Sequence, residues 1–352
     1  MQKKKHSPAQ IAIKIIVIIA MLIIFACFVS LGEDIMYNKI YEVDNAMYNF
    51  ALGMRTPFLT FVFKVITNLC NPFVIGAIAL TILFVLINKN KKTYSFALFL
   101  NLGLTALLNL SLKYIFARER PDISQRLVYE PGYSFPSGHA MFAVAFYGFI
   151  IYLIFKATTI KKSTKILSSI CITLGILLIC FSRIYLGVHY FSDVLGGIMI
   201  TTVYLVVFTY ILDRNRIMYN APVTDYKKHS FLGGFKYALR GIYASITDEN
   251  NLLVQFSAGM MVIMFAVFLR CTFVEWAILI IMCFLVVSLE MVNTAIENVC
   301  DKITLERDER IKKAKDIAAG AVLTMSICAV IVAAVIFIPK IPILFSIIKS
   351  AM

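Results

Sequence analysis

Three short stretches of this chain carry side chains of the kinds that could break a phosphate ester. The first holds Lys113, Arg120 and Pro121, and the second runs through Pro136, Ser137, Gly138 and His139. The third holds Ser182 and Arg183, then His189 and Asp193. Lys113, Arg120 and Arg183 can clamp a phosphoryl group and neutralise charge developing on its oxygens. The backbone around Ser137 and Gly138 can add N–H donors, because glycine lets the chain approach a ligand closely. His189 is suited to attack phosphorus, and Asp193, one helical turn later, can hold the imidazole in its reactive tautomer. His139 can protonate the leaving oxygen, for which the ordinary pKa of imidazole is suitable. No metal is needed for any of these steps.

The composition fixes the solvent in which these residues work. A chain of 352 residues that is 60% hydrophobic and 15% charged, with mean hydropathy +0.84, falls outside the ordinary soluble class. Apolar runs long enough to cross a bilayer lie near 11–31, 67–87, 94–115, 139–156, 166–185, 193–212, 252–270, 274–298 and 317–339. The first follows Lys3, Lys4 and Lys5 as a signal peptide would. Its apolar core is long, no small-residue cleavage site follows, and bulky Phe25 precedes Cys27, so a retained span is expected.

With alternating spans, the basic groups Lys3–Lys5, Lys89/Lys91/Lys92, Lys156/Lys161/Lys162/Lys165 and Arg214/Arg216 fall on one side, which the positive-inside rule makes cytoplasmic. The N-terminus is then cytoplasmic. Segment 33–57 lies outside along the interface, and the phosphate-cleaving residues gather at outer span ends. Topology and attraction to anionic headgroups account for much of the net charge of +14, so no nucleic acid partner is called for. The eight cysteines read as buried packing, and Trp276 as an interface marker.

This arrangement resembles the type 2 phosphatidic acid phosphatase superfamily, with every key position of its three-part signature filled and its internal spacing intact. The likeness covers roughly the first 213 residues. It implies a phosphohistidine on His189, with His139 and Asp193 completing the catalytic group, phosphate held by Lys113, Arg120, Ser137, Gly138 and Arg183, and no cofactor.

Beyond Asp213 the chain changes character. Residues 213–230 are polar and read as a cytoplasmic linker. Phe231, Phe235, Leu239, Ile242 and Ile246 recur at helical spacing, with Lys236 and Arg240 on another face, as in an amphipathic helix on the inner membrane surface. Glu290, Asn293, Glu297 and Asp301 follow at steps of three, four and four residues, an acidic stripe that is costly in lipid. Such carboxylates can hold magnesium, and one can act as a general base toward an alcohol. Lys315 and Asp316 can contact nucleotide phosphates.

From about Gly233 to Lys340 the chain resembles the small prokaryotic diacylglycerol kinase family, which includes undecaprenol kinases. The likeness runs through Gly241, Glu249, the Glu290–Asn293–Glu297 block, Asp301, Lys315, Asp316 and Gly320. It implies Glu290 as base, Glu249 and Glu297 as Mg2+ ligands, and a nucleotide site that takes in Glu249, Asn293, Glu297, Asp301, Lys315 and Asp316. It also implies ATP as phosphoryl donor and a homotrimer with sites shared between protomers. Leu253 stands where the family commonly has an arginine, and Asp308 where it commonly has a histidine.

The expected protein is an all-α, multi-pass protein of the plasma membrane. A six-span phosphatase bundle (1–212) with an extracytoplasmic site precedes the linker (213–230). A three-span kinase bundle (231–352) with a surface helix and a cytoplasmic site follows. Two glycerolipid activities on one chain would run a futile cycle. A diphosphate phosphatase and an undecaprenol kinase would instead converge on undecaprenyl phosphate, with Arg118 and Arg126 available to a second phosphate. The alternatives are a phosphatidate or phosphatidylglycerophosphate phosphatase joined to a diacylglycerol kinase, a transporter, or a kinase-dead oligomerisation scaffold.

Overall fold

The computed structural model describes residues 8–219, 249–269, 271–304 and 308–342, with single positions between 238 and 245. These residues form helices and no strand, as the apolar periodicity requires in a solvent that cannot satisfy an open backbone. In chain order the helices are α1 (Pro8–Met36), α2 (Tyr41–Gly53), α3 (Pro57–Asn68), α4 (Pro72–Asn88), α5 (Lys92–Phe116), α6 (Gly138–Lys156), α7 (Lys162–Tyr185), α8 (Phe191–Tyr219), α9 (Asn250–Phe268), α10 (Phe273–Ile303) and α11 (Glu309–Phe337).

Among the described residues, seven helices are long and apolar enough to span a bilayer: α1, α5, α6, α7, α8, α10 and α11. The other two expected spans are the shorter apolar helices α4 and α9. Large apolar side chains such as Ile16, Leu22, Phe58, Phe84 and Phe284 stay exposed on helix surfaces, as lipid-facing residues do. The segment expected along the interface forms α2, and α2 and α3 make a pair bent by 117°. Thr56 and Pro57 place that bend: the Thr56 side chain caps α3 by accepting from the Leu59 N–H, and Pro57 fills a position that needs no donor. Helix α8 runs on to Tyr219, through the first part of the expected linker. The rest of that linker and most of the expected surface helix lie outside the described residues.

The chain groups into two compact units. In the first, α1–α3 and the last turns of α5 join α6–α8. Phe28, Leu31 and Ile35 of α1 pack with Phe135, Met141 and Ile200, which anchors the chain just before Pro136. A second cluster of Phe63, Val128, Tyr185, Leu186 and Val188 fixes the end of α7 and the link to α8.

That link turns at Gly187, whose φ is +77°. An added Cβ there would lie 2.6 Å from the Gln125 carbonyl oxygen. The left-handed turn ends α7 and delivers His189 two residues later.

The second unit groups α9, α10 and α11 with α4, the first part of α5 and the last turns of α8, so it draws on helices from the N-terminal side of the sequence division. Phe73 of α4 meets Phe265 of α9, with ring centroids 5.2 Å apart. Helix α10 opens with a capping box, in which Thr272 and Glu275 satisfy each other's backbone N–H groups. Asp308 caps α11 by accepting from the N–H groups of Arg310 and Ile311.

Gly187→Ala should lower the melting temperature of the detergent-purified chain by combining a strained φ with a steric clash, at a cost above about 1 kcal/mol. Gly175→Ala, whose new methyl would meet open space in mid-helix α7, should not lower it. Equal melting temperatures for the two variants would contradict this account of the turn.

Candidate active sites

In the first unit the signature residues meet where four helix ends converge. Lys113 lies in the last turn of α5, His139 in the first turn of α6, Arg183 in the last turn of α7 and Asp193 in the first turn of α8. Asp193 is fixed by that position. Its Oδ2 accepts from the Tyr190 N–H at 2.8 Å, reaching back over the start of the helix, and from the Ser134 hydroxyl at 2.5 Å. The same oxygen faces His189 Nδ1 at 3.4 Å.

The other ring nitrogen, Nε2, lies 3.0 Å from Arg120 Nη1. A guanidinium only donates, so Nε2 carries the lone pair and the ring proton sits on Nδ1, toward Asp193. This is the tautomer a nitrogen nucleophile needs. Burial, reinforced by the fields of Arg120, Lys113 and Arg183, holds the His189 pKa well below the ordinary imidazole value. The ring therefore stays neutral and nucleophilic at neutral pH.

Those three cations are the expected clamp, and the structure brings them together around His189. Lys113 Nζ donates to the Tyr133 carbonyl at 2.6 Å. Arg120 also donates to the carbonyls of Gly132 and Val188, and Arg183 to the Thr67 hydroxyl at 2.7 Å. Burial draws the Arg120 pKa down to about 10, against the pull of Glu130. Two buried polar atoms have no partner here: Arg183 Nε and Ser137 Oγ. Such atoms are rare unless a ligand completes them. The Ser137 N–H is not free for a ligand, because it donates to the Asp193 carbonyl at 3.0 Å. The N–H groups of Gly138 and His139 head α6, where no earlier turn can accept them. Of the backbone donors expected around Ser137 and Gly138, the Gly138 N–H is thus one left open at the head of α6.

Glu130 was not legible as a site residue. Its carboxylate pairs with Arg183 Nη2 and lies 3.7 Å from Arg120 Nη2. Burial works to raise its pKa, but Arg183 and Arg120 override that and hold the carboxyl below its usual range. Glu130 thus occupies the cation clamp with an internal anion. Arg118 and Arg126, expected near a second phosphate, both have partners within the protein. Arg118 is engaged by Asp44 and Asp193, at 2.6 Å each, and Arg126 folds back onto the Pro121 carbonyl.

In the second unit the acidic stripe lies along the last turns of α10. Glu290 is buried, and its Oε2 accepts from Gln255 Nε2 of α9 at 2.9 Å. One turn on, Asn293 Nδ2 donates to Glu297 Oε1 at 3.1 Å. Lys315 of α11 reaches Asp301 at 2.5 Å, which ties the two helices at the same end. Asp316 is exposed beside it, and Glu249 is half-buried just ahead of α9. Among the described residues, no three His, Cys, Asp or Glu side chains converge as a metal cage. Magnesium usually takes one or two carboxylates and completes its shell with phosphates and water. Glu297, beside the buried and unpartnered Asn293 Oδ1, fits that pattern. Leu253 is fully buried in α9, and Asp308 serves as the α11 cap, so each departure from the family pattern has a local structural role.

Two family profiles match the chain: the PAP2 superfamily over residues 94–217, and prokaryotic diacylglycerol kinase over 236–337. Phosphatidylglycerophosphatase B of Bacillus subtilis (strain 168) is 36% identical over 180 residues, which span 49% of this chain and 85% of that protein. Undecaprenol kinase of the same organism is 34% identical over 110 residues, 31% of this chain and 89% of that protein. The chain belongs to both families, one in each half. The crystal structure of a transmembrane PAP2-type phosphatidylglycerolphosphate phosphatase from Bacillus subtilis superposes with a TM-score of 0.51 at 28% identity, covering 59% of this chain and 98% of that one. The protein is thus a multi-pass membrane enzyme that joins a PAP2 lipid phosphatase to a prokaryotic lipid kinase.

Within the PAP2 half, Ser134, Glu130, Thr67 and Asp44 escaped the sequence reading, as did Gln255 in the kinase half. Glu130 is one of two acidic residues, with Asp122, between the first two signature stretches, and nothing local sets it apart. The others are ordinary residues brought in by tertiary packing. A phosphate that displaced Glu130 from Arg183 and Arg120 would be opposed by this carboxylate, so Glu130→Gln should tighten competitive inhibition by inorganic phosphate about fivefold, the equivalent of about 1 kcal/mol. Weaker inhibition by phosphate in that variant would show instead that Glu130 helps to build the clamp.

Proposed function

We propose that the PAP2 half converts undecaprenyl diphosphate to undecaprenyl phosphate on the outer membrane face, and that the kinase half phosphorylates undecaprenol to the same product on the inner face. The arrangement at His189 carries the phosphatase reading: a lone pair at Nε2, a carboxylate behind Nδ1, and three cations around the ring. His189 Nε2 attacks the terminal phosphorus and the bridging P–O bond breaks. His139 protonates the departing oxygen where the leaving group needs it. Water then cleaves the P–N bond, releases inorganic phosphate and restores His189. Lys113, Arg120 and Arg183 hold the phosphoryl oxygens throughout.

In the kinase half Glu290 takes the proton of the lipid hydroxyl, and that oxygen attacks the γ-phosphorus of ATP. Gln255 orients Glu290 through one carboxylate oxygen and leaves the other for the alcohol. When bound, Mg2+ offsets phosphate charge, and Glu297 with Asn293 would hold it, together with Glu249. Lys315, Asp316 and Asp301 lie at the same end of the bundle, where the nucleotide phosphates would sit. Sites shared between protomers of a homotrimer would bring Glu249 to a neighbouring stripe. The basic loops support a cytoplasmic N-terminus and kinase site in the plasma membrane.

The polyprenyl reading is supported by the convergence of both reactions on one carrier lipid, and by the name of the undecaprenol kinase relative. The name of the phosphatase relative favours a second reading, with phosphatidylglycerophosphate as substrate. The full chain in mixed micelles should release phosphate faster from undecaprenyl diphosphate than from phosphatidylglycerophosphate or phosphatidate. With Mg-ATP it should phosphorylate undecaprenol in preference to diacylglycerol. His189→Ala should abolish only phosphate release, and Glu290→Gln only lipid phosphorylation. A glycerolipid preference in both assays would overturn the polyprenyl reading.

A further inference from the structure

Arg118 is held by two carboxylates from distant parts of the chain. Nη1 donates to Asp193 Oδ1 at 2.6 Å and to the Ser192 hydroxyl at 2.7 Å, and Nη2 donates to Asp44 Oδ2 at 2.6 Å. Asp44 is fully buried in α2. It also accepts from the Ser192 N–H at 2.9 Å and from the Ser192 hydroxyl at 2.5 Å. The guanidinium lies 4.5 Å over the Tyr190 ring. Ser192, next to Asp193 at the start of α8, and Arg118, which pairs with Asp193, are thus both tied to one side chain that stands well before the matched PAP2 segment.

The charge balance is informative. A guanidinium paired with Asp193 alone would cancel most of the field that this carboxylate exerts on His189 Nδ1. Asp44 shares the same guanidinium, and the three groups together carry one net negative charge beside the imidazole. Stability alone is a weak reason to bury such a triad, since apolar replacements of similar shape often fold as well.

We propose that Asp44 is a positioning residue for the hydrolytic step: by holding Arg118 and Ser192 it fixes Asp193 behind His189 and preserves the carboxylate's negative field there. The inference rests on the phosphatase reading above. Asp44 touches neither phosphate nor leaving group, so its loss bears on turnover and not on binding.

The test uses the purified full chain and a lipid phosphate that the wild type hydrolyses. Asp44→Asn should lower kcat on the order of tenfold or more, with KM and the inhibition constant for inorganic phosphate unchanged within about twofold. In an Arg118→Gln background the same substitution should add little, because Asp44 acts through Arg118. Ser192→Ala, which removes one tie to Asp44 with little change in volume, should give a smaller fall in kcat without lowering the melting temperature. An unchanged kcat in both Asp44→Asn and Ser192→Ala would overturn the proposal and leave the phosphatase reading standing. So would effects of Asp44→Asn and Arg118→Gln that simply multiply. Failure of the wild-type chain to hydrolyse any lipid phosphate would remove the reading and the proposal together.

Discussion

His189 is held between a guanidinium at one ring nitrogen and a carboxylate at the other, and this opposition organises the first unit. The arginine contact keeps the proton off Nε2, while the carboxylate keeps it on Nδ1. Three cations around a histidine would be repulsive if the ring were charged, and burial magnifies that repulsion. The ring therefore remains neutral, and the positive field is left for phosphate. The same field has to be tolerated without substrate. Glu130 answers that need on the clamp side, and Asp44 with Asp193 answers it around Arg118.

The helices serve this opposition by ending where they do. Four span ends deliver the reactive side chains. Gly187 turns the chain sharply just before His189, which stands four residues ahead of Asp193. Aromatic packing of Phe28, Phe116 and Phe135 fixes the approach to Pro136, and Tyr185 with Leu186 and Val188 fixes the other flank. In the second unit the same economy appears in smaller form. The acidic stripe follows from helical spacing, and neighbouring helices supply Gln255 and Lys315 to hold its members.

The helices and the reactive residues could be read directly, because apolar periodicity and spacing within a turn are local properties. Lys113, Arg120, Arg183, His139, His189 and Asp193 needed no tertiary information to be singled out. Partners from distant segments did need it. Nothing around Asp44 marks it as different from any acidic residue near a membrane surface, and only the fold brings it to Ser192. The hydrogen bond from the Ser137 N–H to the Asp193 carbonyl and the pairing of Arg118 with two carboxylates are likewise tertiary facts. Asp308, a departure from the family pattern in sequence, is a helix cap in structure. The grouping of α4 with the kinase helices has no counterpart in the sequence, where that segment reads as one more span before the signature.

A covalent phosphoryl group on His189 is the central claim of this account, and rapid quenching tests it most directly. The full chain should be mixed with a terminally 32P-labelled lipid phosphate, quenched in alkali and mapped by peptide. The account predicts acid-labile, alkali-stable label on the peptide that carries His189, absent in His189→Ala and prolonged when the P–N bond is hydrolysed slowly. Steady hydrolysis by the wild type with no label on that peptide at any quench time would contradict it.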